Sequence, residues 1–190
     1  LNESATIENV INSIPRDIDG VDSVEVLVVD DGSTDDTAEL ARGAGASVLS
    51  HRKNMGVGVA LHSGFDESIR RGVDITVNID SDGQFNAADI PKLIAPILRE
   101  KADFVTASRF KDPALVPVMP KMKRFGNWGM AHIVSQIIGQ RMYDVSCGFR
   151  AYSRESLLQM VLTGKFTYTQ ETLLVLANKG LGIAEVPMVV

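Results

Sequence analysis

Four apolar runs of strand length, at residues 24–29, 46–49, 75–79 and 104–107, alternate with amphipathic runs of helix length, and each apolar run ends in polar residues. This order is the signature of βαβ units around a parallel sheet. It constrains function as well as fold, because the carboxyl ends of the strands in an open parallel sheet share one edge, where ligands bind. Asp30 and Asp31 follow the first run, His51 and Arg52 the second, Asp80 and Asp82 the third, and Ser108 and Arg109 the fourth. Four separate loops therefore deliver polar groups to one crevice.

Between these strands, helices are expected at 33–44, with Ser33 or Asp35 as cap, at 56–71, and at 88–100, with Pro91 in the first turn. Beyond residue 108 the alternation is less regular. Pro113, Pro117 and Pro120 mark a loop, and helices are expected at 125–138, 154–162 and 170–178, with strands at 149–152 and 183–186.

With 190 residues and 45% hydrophobic content, the chain can bury one substantial core, and no repeat, linker or low-complexity tract divides it. A single domain spanning 1–190 is expected. The net charge of −5 argues against a general nucleic-acid binder, which needs a positive face. The lone Cys147 has no partner for an internal disulfide and reads as a small core residue compatible with a reducing cytoplasm. No apolar stretch approaches the roughly 18 residues that span a bilayer, and the N-terminus lacks the basic-then-apolar order of a signal peptide. Membrane contact is therefore expected to be peripheral, or made by segments outside this sequence.

Asp80-Ser81-Asp82-Gly83-Gln84 is the sharpest chemical signal. Two carboxylates one residue apart, leaving a strand, can turn toward one hard divalent cation such as Mn2+ or Mg2+, and Gln84 adds a neutral oxygen. Such an ion would neutralise a diphosphate and the charge on a departing nucleoside diphosphate. An Asx-type turn is the bland alternative. A calcium loop fits poorly, since a third acidic position and a terminal Glu are missing. In the second acidic turn, Asp30-Asp31-Gly32-Ser33-Thr34-Asp35, one carboxylate can accept hydrogen bonds from a nucleobase N–H. Asn54-Met-Gly56-Val-Gly58 starts a helix and brings backbone close to a ligand; the third glycine of a dinucleotide fingerprint is missing. His51, His62 and His132 show no metal-ligand spacing and read as ordinary surface or partly buried groups.

Arg109 and Arg124 are candidate phosphate clamps, since guanidinium offers paired planar donors. From 109 to 124, five basic residues against Asp112 give a local charge of +4, interleaved with Met119 and Met122 and followed by Phe125 and Trp128. A phosphate-bearing lipid or a membrane surface suits such a segment, although most basic runs are simply solvated loops.

These residues resemble the family 2 glycosyltransferases, and within them the dolichyl-phosphate mannose synthase-like and bacterial polyprenyl-phosphate enzymes. The resemblance runs through Leu1-Asn2-Glu3, the segment Val28 to Asp35, Asn54-x-Gly56-x-Gly58-x-Ala60, Asp80 to Gln84, Ala107-Ser108-Arg109-Phe110, Asp144-x-x-x-Gly148-Phe149-Arg150, Gln170-Glu171 and Glu185-Val186-Pro187. It implies a GT-A-type α/β fold with a mostly parallel, Rossmann-like sheet flanked by helices. It also implies an inverting, metal-dependent transfer from a GDP- or UDP-linked sugar. By resemblance, Glu3, Asp30, Asp31, Gly58, Asp80, Ser81 and Arg109 would bind the nucleotide sugar, and Asp80, Asp82 and Gln84 the metal. Asp82, Arg109 and Asp144 would be catalytic, with Asp144 the candidate base if the acceptor is a hydroxyl, and Arg124 and Arg150 would meet the acceptor phosphate. The implied acceptor is a polyprenyl phosphate or a glycan, and the implied location the cytoplasmic face of a membrane. Compared with that family, the first strand before Leu1 and any membrane segment after Val190 are expected to be missing. Two rivals stay open: a haloacid dehalogenase-type magnesium-dependent phosphatase, whose D-x-D-G motif Asp80-Ser81-Asp82-Gly83 also resembles, and a nucleotide-sugar-binding domain without turnover.

Overall fold

The computed structural model describes residues 1–160 and 168–189. In chain order the elements are α1 (Ile7–Ser13), β1 (Leu27–Asp30), α2 (Thr37–Gly43), β2 (Ser47–Ser50), α3 (Val57–Arg71), β3 (Ile75–Asn78), α4 (Ile90–Leu98), β4 (Phe104–Ser108), α5 (Lys121–Ile138), β5 (Arg150–Ser153), α6 (Arg154–Gln159), α7 (Tyr168–Asn178) and β6 (Ile183–Pro187). The alternation read from the sequence holds, with ends displaced by a few residues. The helix expected from 125 begins at Lys121, directly after Pro120, which takes the N-cap position. The expected continuation of α6 to 162 runs past the described residues.

β1 pairs in parallel with β2. A second sheet has the order β3-β5-β4-β6. In it β4 and β6 are parallel, but β5 runs antiparallel to both its neighbours. β3, β4 and β6 therefore run the same way, as expected of a mostly parallel sheet, and the one reversed strand matters for function. An antiparallel β5 begins at the edge where β3 and β4 end: Arg150, its first residue, pairs with Asn78 and Thr106 near their carboxyl ends. The segment that precedes β5, residues 144–149, therefore reaches the ligand edge from the opposite direction.

Burial follows the strand pleat, in which successive side chains face opposite sides. Val105, Ala107 and Ala151 pack with Leu93, Ile94 and Ile97 of α4 on one face. Phe104 and Tyr152 pack on the other face with Phe65 of α3, Val134 of α5, and Leu173 and Leu176 of α7. Leu93 and Leu173 are fully buried, and each such side chain contributes about 1.5–3 kcal/mol. A third cluster joins α1 and α2 to β1 and β2 through Ile7, Ile11, Ala41 and Val28. With both faces of the larger sheet covered, its carboxyl edge remains open for polar chemistry.

Candidate active site

The N-terminal segment is laced to both acidic turns. The Asn2 amide donates to Ser33 Oγ, the Glu3 amide to Thr37 Oγ1 and the Ser4 amide to Asp35 Oδ2. In return, the Thr34 amide donates to Asn2 Oδ1. Thr6 then donates through its hydroxyl to the Ser81 carbonyl at 2.7 Å. Ser33 and Asp35 are thus occupied in holding this segment; α2 starts at Thr37, and its N-cap Asp36 makes no side-chain cap bond. The Thr37 hydroxyl, working against some burial and helped by Ser4, holds the Asp35 carboxyl at a pKa of about 2.

Asp30 and Asp31 are both buried, and they do different work. Asp30 Oδ1 accepts from the Ser33 amide and closes its own turn. Asp31 reaches across to the loop after β2, where Oδ1 accepts from the Met55 amide at 2.9 Å and from His51 Nδ1 at 2.7 Å, and Oδ2 accepts from the Gly56 amide at 2.8 Å. Burial pushes the Asp31 pKa up, but the His51 hydrogen bond and the two amides outweigh it and keep the carboxyl below its ordinary value. His51 Nε2 is 2.9 Å from Ser63 Oγ on α3. The loop sits so close that a Cβ at Gly32, where φ is +75°, would lie 2.5 Å from the Lys53 carbonyl carbon. Gly58 is buried in the first turn of α3.

Asp80 is the group whose electrostatics point most directly to a ligand. Its pKa is raised by burial first, then by the neighbouring charges of Asp82 and Glu3, with Arg150 opposing. Net negative potential in a half-buried crevice is what a hard cation relieves. Gly148 confines this carboxylate, since a Cβ there would lie 2.8 Å from Asp80 Oδ2. Asn78 fixes Gly148 in turn by donating to its carbonyl at 2.8 Å. Asp82 and Gln84 are exposed, and Asp82 Oδ1 accepts from the Gln84 amide at 3.0 Å, the local turn foreseen as the bland reading. Among the described residues no group of three or more His, Cys, Asp or Glu side chains could hold a metal by itself. Asp80 and Asp82 fit a divalent cation that takes the rest of its oxygen ligands from a bound diphosphate.

At the far end of the edge, Arg109 donates to Asp144 through Nε at 2.6 Å and Nη2 at 2.9 Å, and Nη2 also reaches Ser146 Oγ at 2.8 Å. Asp144 has no side-chain exposure, whereas Arg109 keeps 22%. The ion pair with Asp144, stronger than the opposing cost of burial, raises the Arg109 pKa. The Asp144 amide donates to Glu185 Oε1, and the Tyr143 amide to both Glu185 oxygens. Burial, ahead of these amides, raises the Glu185 pKa.

Two sequence assignments change here. Asp144, the candidate base for a hydroxyl acceptor, has no side-chain exposure and is paired through both oxygens with the Arg109 guanidinium. Arg150, the candidate acceptor-phosphate contact, is fully buried; its Nε donates to the Cys147 carbonyl at 2.7 Å, bracing the loop before β5 from within. Arg124, by contrast, is exposed on α5. It lines a groove of about 720 Å³ with Phe110, Trp128, His132, Arg141 and Tyr143, so it stands next to the loops that carry Arg109 and Asp144. The sequence reading missed the roles of His51, Asn78 and Glu185. His51 was visible as a polar residue delivered by the second strand, but Ser63 and Asp31 meet it only in three dimensions.

The glycosyl transferase family 2 profile matches residues 1–160, which span both acidic turns and the Arg109–Asp144 pair. The chain belongs to glycosyl transferase family 2. It is 31% identical to a UDP-N-acetylglucosamine–dolichyl-phosphate N-acetylglucosaminyltransferase of Methanococcus voltae, over 98% of this chain and 81% of that one. It is 33% identical to a dolichyl-phosphate hexose transferase of Haloferax volcanii, over 98% and 78%. Glucosyl-3-phosphoglycerate synthase of Mycobacterium tuberculosis, solved with Mn2+, UDP and glucosyl-3-phosphoglycerate, superposes with a TM-score of 0.74 at 28% identity, over 100% of this chain and 67% of that one. The GT-A-type fold and the glycosyltransferase class are therefore those read from the sequence. This family 2 chain has, among its described residues, no helix long and apolar enough to cross a membrane.

Proposed function

We propose that this glycosyltransferase moves a sugar, with inversion, from a nucleoside-diphosphate sugar to a polyprenyl phosphate at the cytoplasmic face of a membrane. The observation that carries the acceptor assignment is the sealing of Asp144. A hydroxyl acceptor needs a general base within hydrogen-bond reach, and the carboxylate foreseen for that task is paired twice with Arg109 behind a surface with no exposure. A phosphate acceptor is already anionic and needs none. Relatives named as dolichyl-phosphate and undecaprenyl-phosphate transferases support the same acceptor.

In this reading Glu3, Asp30, Asp31 and Ser81 frame the nucleotide end, and Asp80 and Asp82, with Gln84 beside them, hold a divalent Mn2+ or Mg2+. When bound, the ion would neutralise the diphosphate and ease the departure of the nucleoside diphosphate. Arg109, oriented by Asp144, offers its remaining donors to phosphate oxygens, and Arg124 meets the acceptor headgroup from the groove. The acceptor oxygen attacks the anomeric carbon as the bond from that carbon to the diphosphate breaks. The electron pair leaves with the nucleoside diphosphate, and no proton has to move.

The lipid end has a matching surface. Along α5, Met122, Phe125, Trp128, Ile133 and Ile137 are more than half exposed, next to Lys123 and Arg124. Each basic residue near an anionic bilayer contributes roughly 1 kcal/mol of attraction. Flotation with anionic vesicles in low and high salt tests the membrane contact, and the anomeric configuration of the product, read by NMR, tests inversion. Salt-sensitive binding and an inverted glycosyl phosphate are the expected results; retained configuration would overturn the single-displacement step.

A further inference from the structure

Asp31 is nearly full before any nucleotide arrives. An ionised carboxylate offers about four acceptor sites. His51 and the Met55 amide occupy Oδ1, and the Gly56 amide occupies Oδ2. About one site is left, on Oδ2. His51 cannot easily turn away and free another. Since an ionised Asp31 only accepts, Nδ1 donates to it, and Nε2 is held 2.9 Å from the Ser63 hydroxyl. Ser63 belongs to α3, an element fixed by Phe65 in the core. The side chains of His51 and Asp31 are only 16% and 10% exposed, so an unmatched donor brought against Asp31 would not be rescued by bulk water.

We propose that His51, braced by Ser63, is a positioning residue that leaves Asp31 a single open acceptor, so that the donor pocket selects uracil over guanine. Uracil presents one ring N–H flanked by two carbonyls, which matches one free acceptor. Guanine presents adjacent N1–H and N2–H donors, which are satisfied together only when both oxygens of a carboxylate are free. Cytosine places a ring acceptor where the N–H should be and meets the carboxylate with repulsion. The proposal rests on the glycosyltransferase reading, with Asp31 as the base-contacting group. Discrimination of at least about fivefold follows, because an unpaired buried donor costs that much or more.

The test is calorimetric titration of the chain with UDP, GDP and CDP in the presence of Mn2+, on the parent and on His51→Ala, His51→Asn and Ser63→Ala, with a melting curve for each. UDP should bind the parent at least about fivefold tighter than GDP or CDP. His51→Ala should weaken UDP and bring the UDP-to-GDP ratio toward one, because it frees an acceptor on Oδ1. His51→Asn, whose amide nitrogen can stand in for Nδ1, should restore the ratio, and Ser63→Ala should fall between. A purely structural His51 would lower the melting point or weaken both nucleotides alike and leave the ratio unchanged. GDP binding the parent as tightly as UDP, or an unchanged ratio in folded His51→Ala, overturns the proposal and leaves the glycosyltransferase reading intact; the parent and Ser63→Ala decide the matter if His51→Ala does not fold. Failure of all three nucleotides to bind the folded parent overturns both.

Discussion

Asp144 and Arg109 form a two-pronged ion pair in which the acid is inaccessible and the base is partly exposed, with Nε–Oδ2 and Nη2–Oδ1 distances of 2.6 and 2.9 Å. The asymmetry supports the proposed roles, in which the buried partner holds and the exposed partner acts.

Removing the buried partner should therefore cost stability as well as activity. Asp144→Ala leaves Arg109 without its counter-charge and the Arg109 and Ser146 amides without their acceptor. Breaking such a pair costs about 3–5 kcal/mol. Arg109→Lys, which keeps the charge but loses the fork, should melt closer to the parent and still lose most transfer activity. Denaturant titration together with kcat measurements distinguishes these outcomes; equal stability losses in the two variants would contradict the assignment.

Gly148→Ala should separate function from folding. Its Cβ would meet the Asp80 carboxylate at 2.8 Å, the end of a side chain that can rotate aside at small cost in stability. Metal-dependent donor binding should fall by about tenfold or more, since a misplaced ligand forfeits roughly a charge-assisted hydrogen bond's worth of interaction. An unchanged response to Mn2+ would show that Asp80 does not need its present position. Gly32→Ala contrasts with this, because its Cβ would strike Lys53 and Asn54 backbone at 2.5–2.8 Å with φ at +75°; it should lose both the fold of the donor turn and nucleotide binding.

The raised pKa of Asp80 gives a pH dependence with a definite sign. A carboxyl whose folded pKa lies above its unfolded value binds its proton more tightly when folded. The metal-free chain is therefore favoured while Asp80 stays protonated, and it loses that contribution as pH rises from the ordinary aspartate range through the raised value. Asp80→Asn should remove this loss and melt above the parent at neutral pH without metal. A divalent cation should stabilise the parent more as pH rises and should leave Asp80→Asn unaffected. Identical metal-induced shifts in the two proteins would contradict the placement of the ion.

Asp82→Asn should leave the fold intact, because the residue is exposed and accepts only a local amide within its own turn. It should nevertheless abolish metal-dependent donor binding. Tight binding with unchanged metal dependence, measured by titration, would refute Asp82 as a ligand.

The strand-and-helix order was readable because each apolar run of the sequence is bounded by turn residues, and so was the placement of Asp31, Asp80 and Arg109 just after β1, β3 and β4; that these strands fall into two sheets rather than one was not. The direction of β5 was not readable. Arg150-Ala151-Tyr152-Ser153 carries no period that tells parallel from antiparallel, and its register is set by contacts with Asn78 and Thr106, more than forty residues away. For the same reason Arg150 looked like a surface cation, whereas the antiparallel strand buries it. The His51–Asp31 contact, twenty residues apart in sequence, depends on how β1 and β2 pair, which a local pattern does not encode.

In the proposed reaction a metal-carboxylate edge and an arginine groove hand a sugar to a lipid phosphate. The most direct measurement is transfer of labelled sugar from its nucleoside diphosphate to polyprenyl phosphate and, in parallel, to a glycan hydroxyl, with Mn2+ or Mg2+, in the parent and in Arg124→Ala. The expected result is metal-dependent transfer to the lipid phosphate, little to the glycan, and a marked rise in the lipid KM for Arg124→Ala with donor KM nearly unchanged. Efficient transfer to the glycan hydroxyl, none to the lipid phosphate, and no effect of Arg124→Ala would contradict it.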